Sequence, residues 1–196
     1  MKKLLALATA LTVVLLLSVG PAAAQSQNTP PVVVNRNAVT LTYQPSFQVS
    51  GASTLDVAVS YQFGPGPWDL LVSYISPSGF PTALTNATAF RVGGRYHMAP
   101  PSPTVDVYGT ITYFSPSTGN TRFELGAGFT ETVAPGLKLY YVATYNSVNI
   151  AVAGGAYIST NLGVQYQINR QWALVVGLEG NTGNSYLGIN FDLPAR

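Results

Sequence analysis

The chain has one histidine, His97, and no cysteine. Those two facts remove most site chemistry at the outset. Without thiols there is no disulfide framework, no thiolate metal site and no cysteine nucleophile. A single imidazole excludes a histidine-rich metal centre. A Ser-His-Asp site would have to be built on His97, yet no serine stands in an elbow motif and no carboxylate is placed by spacing to orient the ring. Gly93-Gly94, Gly126-Ala127-Gly128 and Gly154-Gly155 are not phosphate loops, because neither a helix pattern nor a Lys-Ser/Thr pair follows them. No catalytic, metal-binding or cofactor-binding residue is assigned, and the chain reads as a non-enzyme.

What remains is charge, and charge is scarce. Asp, Glu, Lys and Arg make up 8% of the residues, against roughly 25% in an ordinary soluble protein. That is too little to dress a soluble surface. The 47% hydrophobic and 11% aromatic content is equally unlike a disordered chain. Nine basic against seven acidic residues leave no basic footprint, so nucleic acid is excluded as a partner.

The elements that must position these few charges follow from periodicity. Residues 1–24 read as a secretory signal: Lys2 and Lys3, an apolar run from Leu4 to Val19, a Gly20-Pro21 break, and Ala22-Ala23-Ala24 before Gln25. The apolar run is short of the about 20 residues that a spanning helix needs. Its removal takes away two of the nine basic residues and brings the mature chain to parity with its seven acids. Residues 25–37 form a Pro-, Asn- and Gln-containing leader, expected to be periplasmic. Beyond it nearly every segment alternates. In Leu55–Phe63 the odd positions are large and apolar and the even ones are acidic, small or polar; Ile158–Ile168 and Tyr186–Leu193 repeat the pattern. A period of two means a strand with one apolar and one polar face.

Ten strands are predicted, near 38–44, 54–63, 68–75, 87–98, 104–114, 122–133, 137–145, 157–168, 172–179 and 185–193; eight is the alternative count. Most approach the about 9–11 residues that a tilted strand needs to cross a bilayer. The connections sort by length. Gly64–Pro67, Ala99–Pro103, Ala134–Gly136 and Asn169-Arg170 are tight turns. Pro45–Ser53, Ser76–Asn86 and Asn146–Ala156 are longer, and Ser115–Thr121 and Gly180–Asn184 are Gly/Asn/Ser/Thr loops. Tyr61, Phe63, Trp68, Tyr96, Tyr166 and Trp172 flank the tight turns. Tyr74, Phe90, Tyr113, Phe123 and Tyr145 flank the loops. Two aromatic belts, with short turns on one rim and longer loops on the other, are the marks of a transmembrane barrel.

Over residues 38–193 the chain resembles the small bacterial outer-membrane β-barrels that include the OmpA, OmpX and OmpW families. The likeness is architectural, carried by the alternation, the rim sorting and a last strand, Tyr186–Leu193, that looks like the assembly signal of such barrels. It implies an all-β, up-and-down antiparallel transmembrane barrel following a signal peptide. The implied setting is the outer membrane of a diderm bacterium, with both termini periplasmic, lipid around the barrel and other envelope proteins as partners.

With the apolar face outward, the charges turn inward. Asp56, Asp69, Asp106, Glu124, Glu179, Asp192, Arg91, Arg95, Arg122 and Lys138 all share the inner face, and only Glu131 among the acids points out. A Lys or Arg facing mid-bilayer lipid would cost about 2–4 kcal/mol, which gives the sorting a cause. The expected lumen network comprises Asp69, Arg95, Asp106, Arg91, Arg122, Glu124, Lys138 and His97, with Arg95 bridging Asp69 and Asp106. Tyr108, Tyr140, Tyr157 and Tyr186, also inward, favour a filled lumen. A structural or surface-interaction barrel is therefore the leading reading. A narrow passive channel for small solutes is the alternative. A soluble lipocalin-like barrel with its apolar face inward, or an outer-membrane hydrolase built on His97, is favoured less.

Overall fold

Alternation gives each strand two unlike faces, and a sheet with such faces hides one of them by closing on itself. The computed structural model describes residues 34–46, 50–80, 87–98, 102–118, 121–147, 156–180 and 183–194. Within them lie ten strands: β1 (Ala38–Pro45), β2 (Ser53–Gln62), β3 (Trp68–Ser78), β4 (Ala89–His97), β5 (Val105–Pro116), β6 (Arg122–Ala134), β7 (Leu137–Asn146), β8 (Tyr157–Gln167), β9 (Trp172–Glu179) and β10 (Ser185–Asp192). Each pairs antiparallel with its neighbours in sequence, and β1 pairs with β10 from Ala38↔Asp192 to Tyr43↔Leu187, so the barrel is closed. Closure leaves no unpaired edge, the condition for a sheet in lipid.

The ten expected strands are these ten, and the eight-strand count is set aside. Two run further than expected at the loop rim. Ser76-Pro77-Ser78 read as loop, but the β2–β3 ladder continues through Thr54↔Pro77 to Ser53↔Ser78. Likewise β5 continues to Pro116, paired with Ala89. A proline weakens a strand by removing one donor, and here the neighbouring ladder carries the chain past it.

The faces are sorted as the charges required. Leu41, Val92, Ile111, Leu125, Val176 and Ile189 are exposed on the outside, while Thr40, Ser60, Arg91, Glu124, Asn161 and Asn190 are buried inside. This is inverted relative to a soluble barrel, and it overturns the lipocalin-like alternative. Both aromatic belts point outward. Trp68 packs on Tyr96 and Trp172 on Phe191 at the turn rim, with Tyr74 on Phe90 and Tyr113 on Phe123 at the loop rim. Tyrosine and tryptophan suit a level where an apolar ring ends in a wet polar tip.

The tight turns have local causes. Between β6 and β7, Pro135 and Gly136 make a two-residue turn closed by Ala134↔Leu137, with Gly136 at φ 74°. Proline followed by a positive-φ glycine is the type II pattern, whose twist does not match a hairpin's. The ladder skips Val133 between Thr132 and Ala134, a bulge beside the mismatched turn. Between β8 and β9, Asn169 Oδ1 accepts the backbone N–H groups of Gln171 and Trp172, the side chain mimicking a turn carbonyl.

The signal expected at 1–24 lies outside the described residues, as does most of the 25–37 leader. Its last four residues, Val34–Asn37, do not simply trail from β1. They turn into the turn-rim end of the lumen.

Candidate functional site in the lumen

Strand register decides which charges meet. Asp69 on β3 stands opposite Arg95 on β4. Arg95 Nη2 lies 2.8 Å from Asp69 Oδ2, with Nε at 3.1 Å. Both side chains are buried, and Arg95 also stacks over the Tyr108 ring, 5.2 Å from its centroid. Asp106, however, is out of step with Arg95. Arg95 is paired with Thr110 and His97 with Tyr108, so Asp106 falls two positions beyond His97's partner, towards the turn rim.

The side chain that touches both carboxylates is therefore His97. Its Nε2 is 2.7 Å from Asp69 Oδ2, and its Nδ1 is 2.8 Å from Asp106. The bridging role expected of Arg95 thus falls to the imidazole two residues nearer the rim. Both ring nitrogens are engaged by carboxylates. Ser60, the serine beside this cluster, donates to Arg36 O at 2.7 Å and accepts from Arg95 at 2.9 Å. Neither group is arranged as a base and nucleophile pair.

A second tier lies nearer the loop rim. Arg91 and Arg95 are four residues apart on β4, about 13 Å along a strand that rises about 3.3 Å per residue. Glu124 on β6 receives Arg91 through both Nε and Nη2 and accepts from Arg122 Nε at 3.1 Å. Thr112 Oγ1 donates to the same carboxylate at 3.1 Å, and Arg91 Nη1 is 3.3 Å from Ser73 Oγ. Both guanidinium groups lie over the Phe114 ring, Arg122 at 3.7 Å and Arg91 at 5.2 Å from the centroid. Arg91 and Glu124 are each 1% exposed. Placing one carboxylate between two guanidinium groups offsets part of the cost of removing three charges from water.

Lys138, the remaining member of the expected network, stands apart from these tiers. Its ammonium donates to Asn35 Oδ1 at 2.7 Å, and Asn35 Nδ2 donates to Asp192 Oδ1. Arg36 joins the lower tier, 3.0 Å from Asp69. Asn35 and Arg36 were not legible as lumen residues: they precede the first alternating segment, so no parity rule assigns them a face.

Charge covers only part of the wall. From β7 to β10 the inner face is mostly neutral. Tyr140 on β7 leans over Gly163 of β8, and Tyr186 on β10 leans over Gly177 of β9. A Cβ on either glycine would overlap a tyrosine ring and a neighbouring backbone carbonyl. The two hydroxyls meet at 2.8 Å. Val175 packs with both tyrosines, and Gln165 stands opposite Lys138; both are buried. Tyr157's side chain lies outside the described residues. At the turn rim the lumen widens into a cavity of about 500 Å³ lined by Val34–Asn37, Asp106, Thr130, Lys138 and Asp192, among others.

A closed ten-stranded barrel with an apolar exterior and a polar interior is a membrane-spanning β-barrel of porin architecture. Comparison with solved structures agrees. The KdgM porin aligns over 80% of this chain and 99% of its own, with a TM-score of 0.53 at 11% identity. The NanC porin aligns over the same shares, with a TM-score of 0.50 at 13% identity. At such identities the likeness is one of fold. No protein-family model matches the chain, and no curated protein sequence does either.

Proposed function

We propose that this protein is an outer-membrane barrel with a structural or surface-interaction role, whose lumen is closed by its own side chains. One observation carries the reading: inward side chains are shut off from solvent through the depth of the barrel. Arg95, Gln165, Val175 and Tyr140 in the turn-rim half, and Arg91 and Glu124 in the loop-rim half, are all within 2% of full burial. A water-filled pore would leave such a column wet. A ten-strand barrel is only slightly wider than the eight-strand kind that side chains fill. The function then resides on the outside and at the loop rim, which would meet other envelope components at the cell surface while the turn rim and both termini face the periplasm.

Planar-bilayer recording of the purified, folded protein tests this. Closure predicts no current above the lipid baseline; stable ohmic steps overturn it. Those steps would establish the second reading, a narrow passive channel for small solutes. The likeness to KdgM and NanC, both named as porins, favours that reading, as does the cavity at the turn rim. Orientation is tested separately with epitope tags on intact cells. Tags within 76–86 or 146–156 are expected to be reached by antibody; labelling of tags in Gly64–Pro67 instead would invert the topology.

A further inference from the structure

Val34–Asn37 belong to no strand, yet the barrel reads them residue by residue. Val34 is 4% exposed, packed with Tyr140, Val175 and Tyr186. Its neighbour's backbone is read too, for Arg95 Nη2 donates to Asn35 O at 2.9 Å. The Asn35 carboxamide is held at both ends, accepting from Lys138 and donating to Asp192. Arg36 gives its guanidinium to Asp69 and to Gly66 O at 2.8 Å, while its carbonyl accepts from Ser60 Oγ. Asn37 accepts from the backbone N–H groups of Gln62, through Oδ1, and of Leu193, through its carbonyl, each at 2.8 Å. The groups doing the reading come from β2, β3, β4, β7, β9 and β10 and from chain flanking them. An apolar pocket, three donors to backbone carbonyls and paired contacts for a carboxamide and a guanidinium form a recognition surface for a short, bent segment of chain.

We propose that the turn-rim end of the lumen is a peptide-binding site, occupied in cis by Val34–Asn37. The ligand class is a short, bent segment with a branched apolar residue followed by an amide side chain and a guanidinium. The apolar residue fills the space under the Tyr140–Tyr186 pair, the amide spans Lys138 to Asp192, and the guanidinium takes the face of Asp69 that His97 and Arg95 leave open. The roughly 500 Å³ cavity beside the segment is the entrance to this site, and the tyrosine pair is its floor. The proposal rests on the closed-lumen reading, because a segment seated in a wide pore would have no floor to fill.

The absence of cysteine makes the test clean. Val175→Cys places a single thiol under Val34, and its alkylation by a charged, membrane-impermeant thiol reagent is followed in the folded, full-length barrel. The thiol is expected to be protected. Adding V34G, N35A and R36A in the full chain is expected to speed its labelling by about tenfold or more, as local opening replaces occupancy. A synthetic peptide of residues 31–37, added in trans, is expected to restore protection saturably. A Thr144→Cys reporter near the loop rim is expected to respond to neither change. If the triple variant yields no heat-modifiable band, Val34→Gly alone, which empties only the tyrosine pocket, is read in the same way. Rapid labelling of the Val175→Cys protein, or a rate indifferent to the substitutions, overturns the site. So does faster labelling that the peptide fails to reverse, since the segment would then be a permanent filler. Conductance of the intact barrel would count against closure whatever the thiol does, so the two readings fail separately.

Discussion

The two halves of the lumen wall are packed by different physics. Along β3 to β6 the wall is charged, and each cation on it has a carboxylate within reach. Asp69 gathers Arg36, Arg95 and His97, and Glu124 gathers Arg91 and Arg122. Along β7 to β10 the wall is packed mainly by volume. Two tyrosines lean over two glycines and meet at their hydroxyls, and Val34 packs against them. The charged half is directional and intolerant of a lost partner. The neutral half is steric and intolerant of added atoms. The wall of this barrel uses both kinds of packing side by side.

The comparison breaks most sharply at Glu124. Glu124→Ala leaves the buried Arg91 and the part-buried Arg122 without their carboxylate, and removing one partner of a buried pair costs about 3–5 kcal/mol. Urea unfolding in detergent, followed by the fluorescence of Trp68 and Trp172, is expected to show the largest loss of stability there. A cost below that of an ordinary surface substitution would mean the upper tier is hydrated rather than paired.

On the neutral side the sensitive direction is the opposite one. Gly177→Val adds atoms where Tyr186 and the Leu162 carbonyl already stand, and overpacking of this kind costs about 1–3 kcal/mol. The same unfolding assay is expected to rank it below Glu124→Ala. An unchanged midpoint would show that the ring can swing aside and that the wall is looser than its geometry.

The smallest effect is expected at Tyr140→Phe. It keeps the ring over Gly163 and removes only the hydroxyl contact with Tyr186, worth about 0.5–1.5 kcal/mol. If this change rivals the glycine substitution, the neutral wall is held by hydrogen bonding, and the contrast between the halves is weaker than drawn here.

Much of the molecule was legible beforehand because a barrel obeys parity. Strand number, facing, the aromatic belts and the inward turn of Asp69, Arg91, Arg95 and Glu124 all follow from a period of two and from the cost of charge in lipid. The linear chain therefore determined which residues share the lumen. It could not determine which of them touch, because contact depends on the stagger between strands. A two-position offset on β5 passes the bridge from Arg95 to His97. Nor could it place Val34–Asn37, which lie outside any alternating run and gain their partners only when six separate strands converge at one end of the barrel. Periodicity is a local property and survives in sequence; register and convergence are relations between distant segments, and only the closed sheet supplies them.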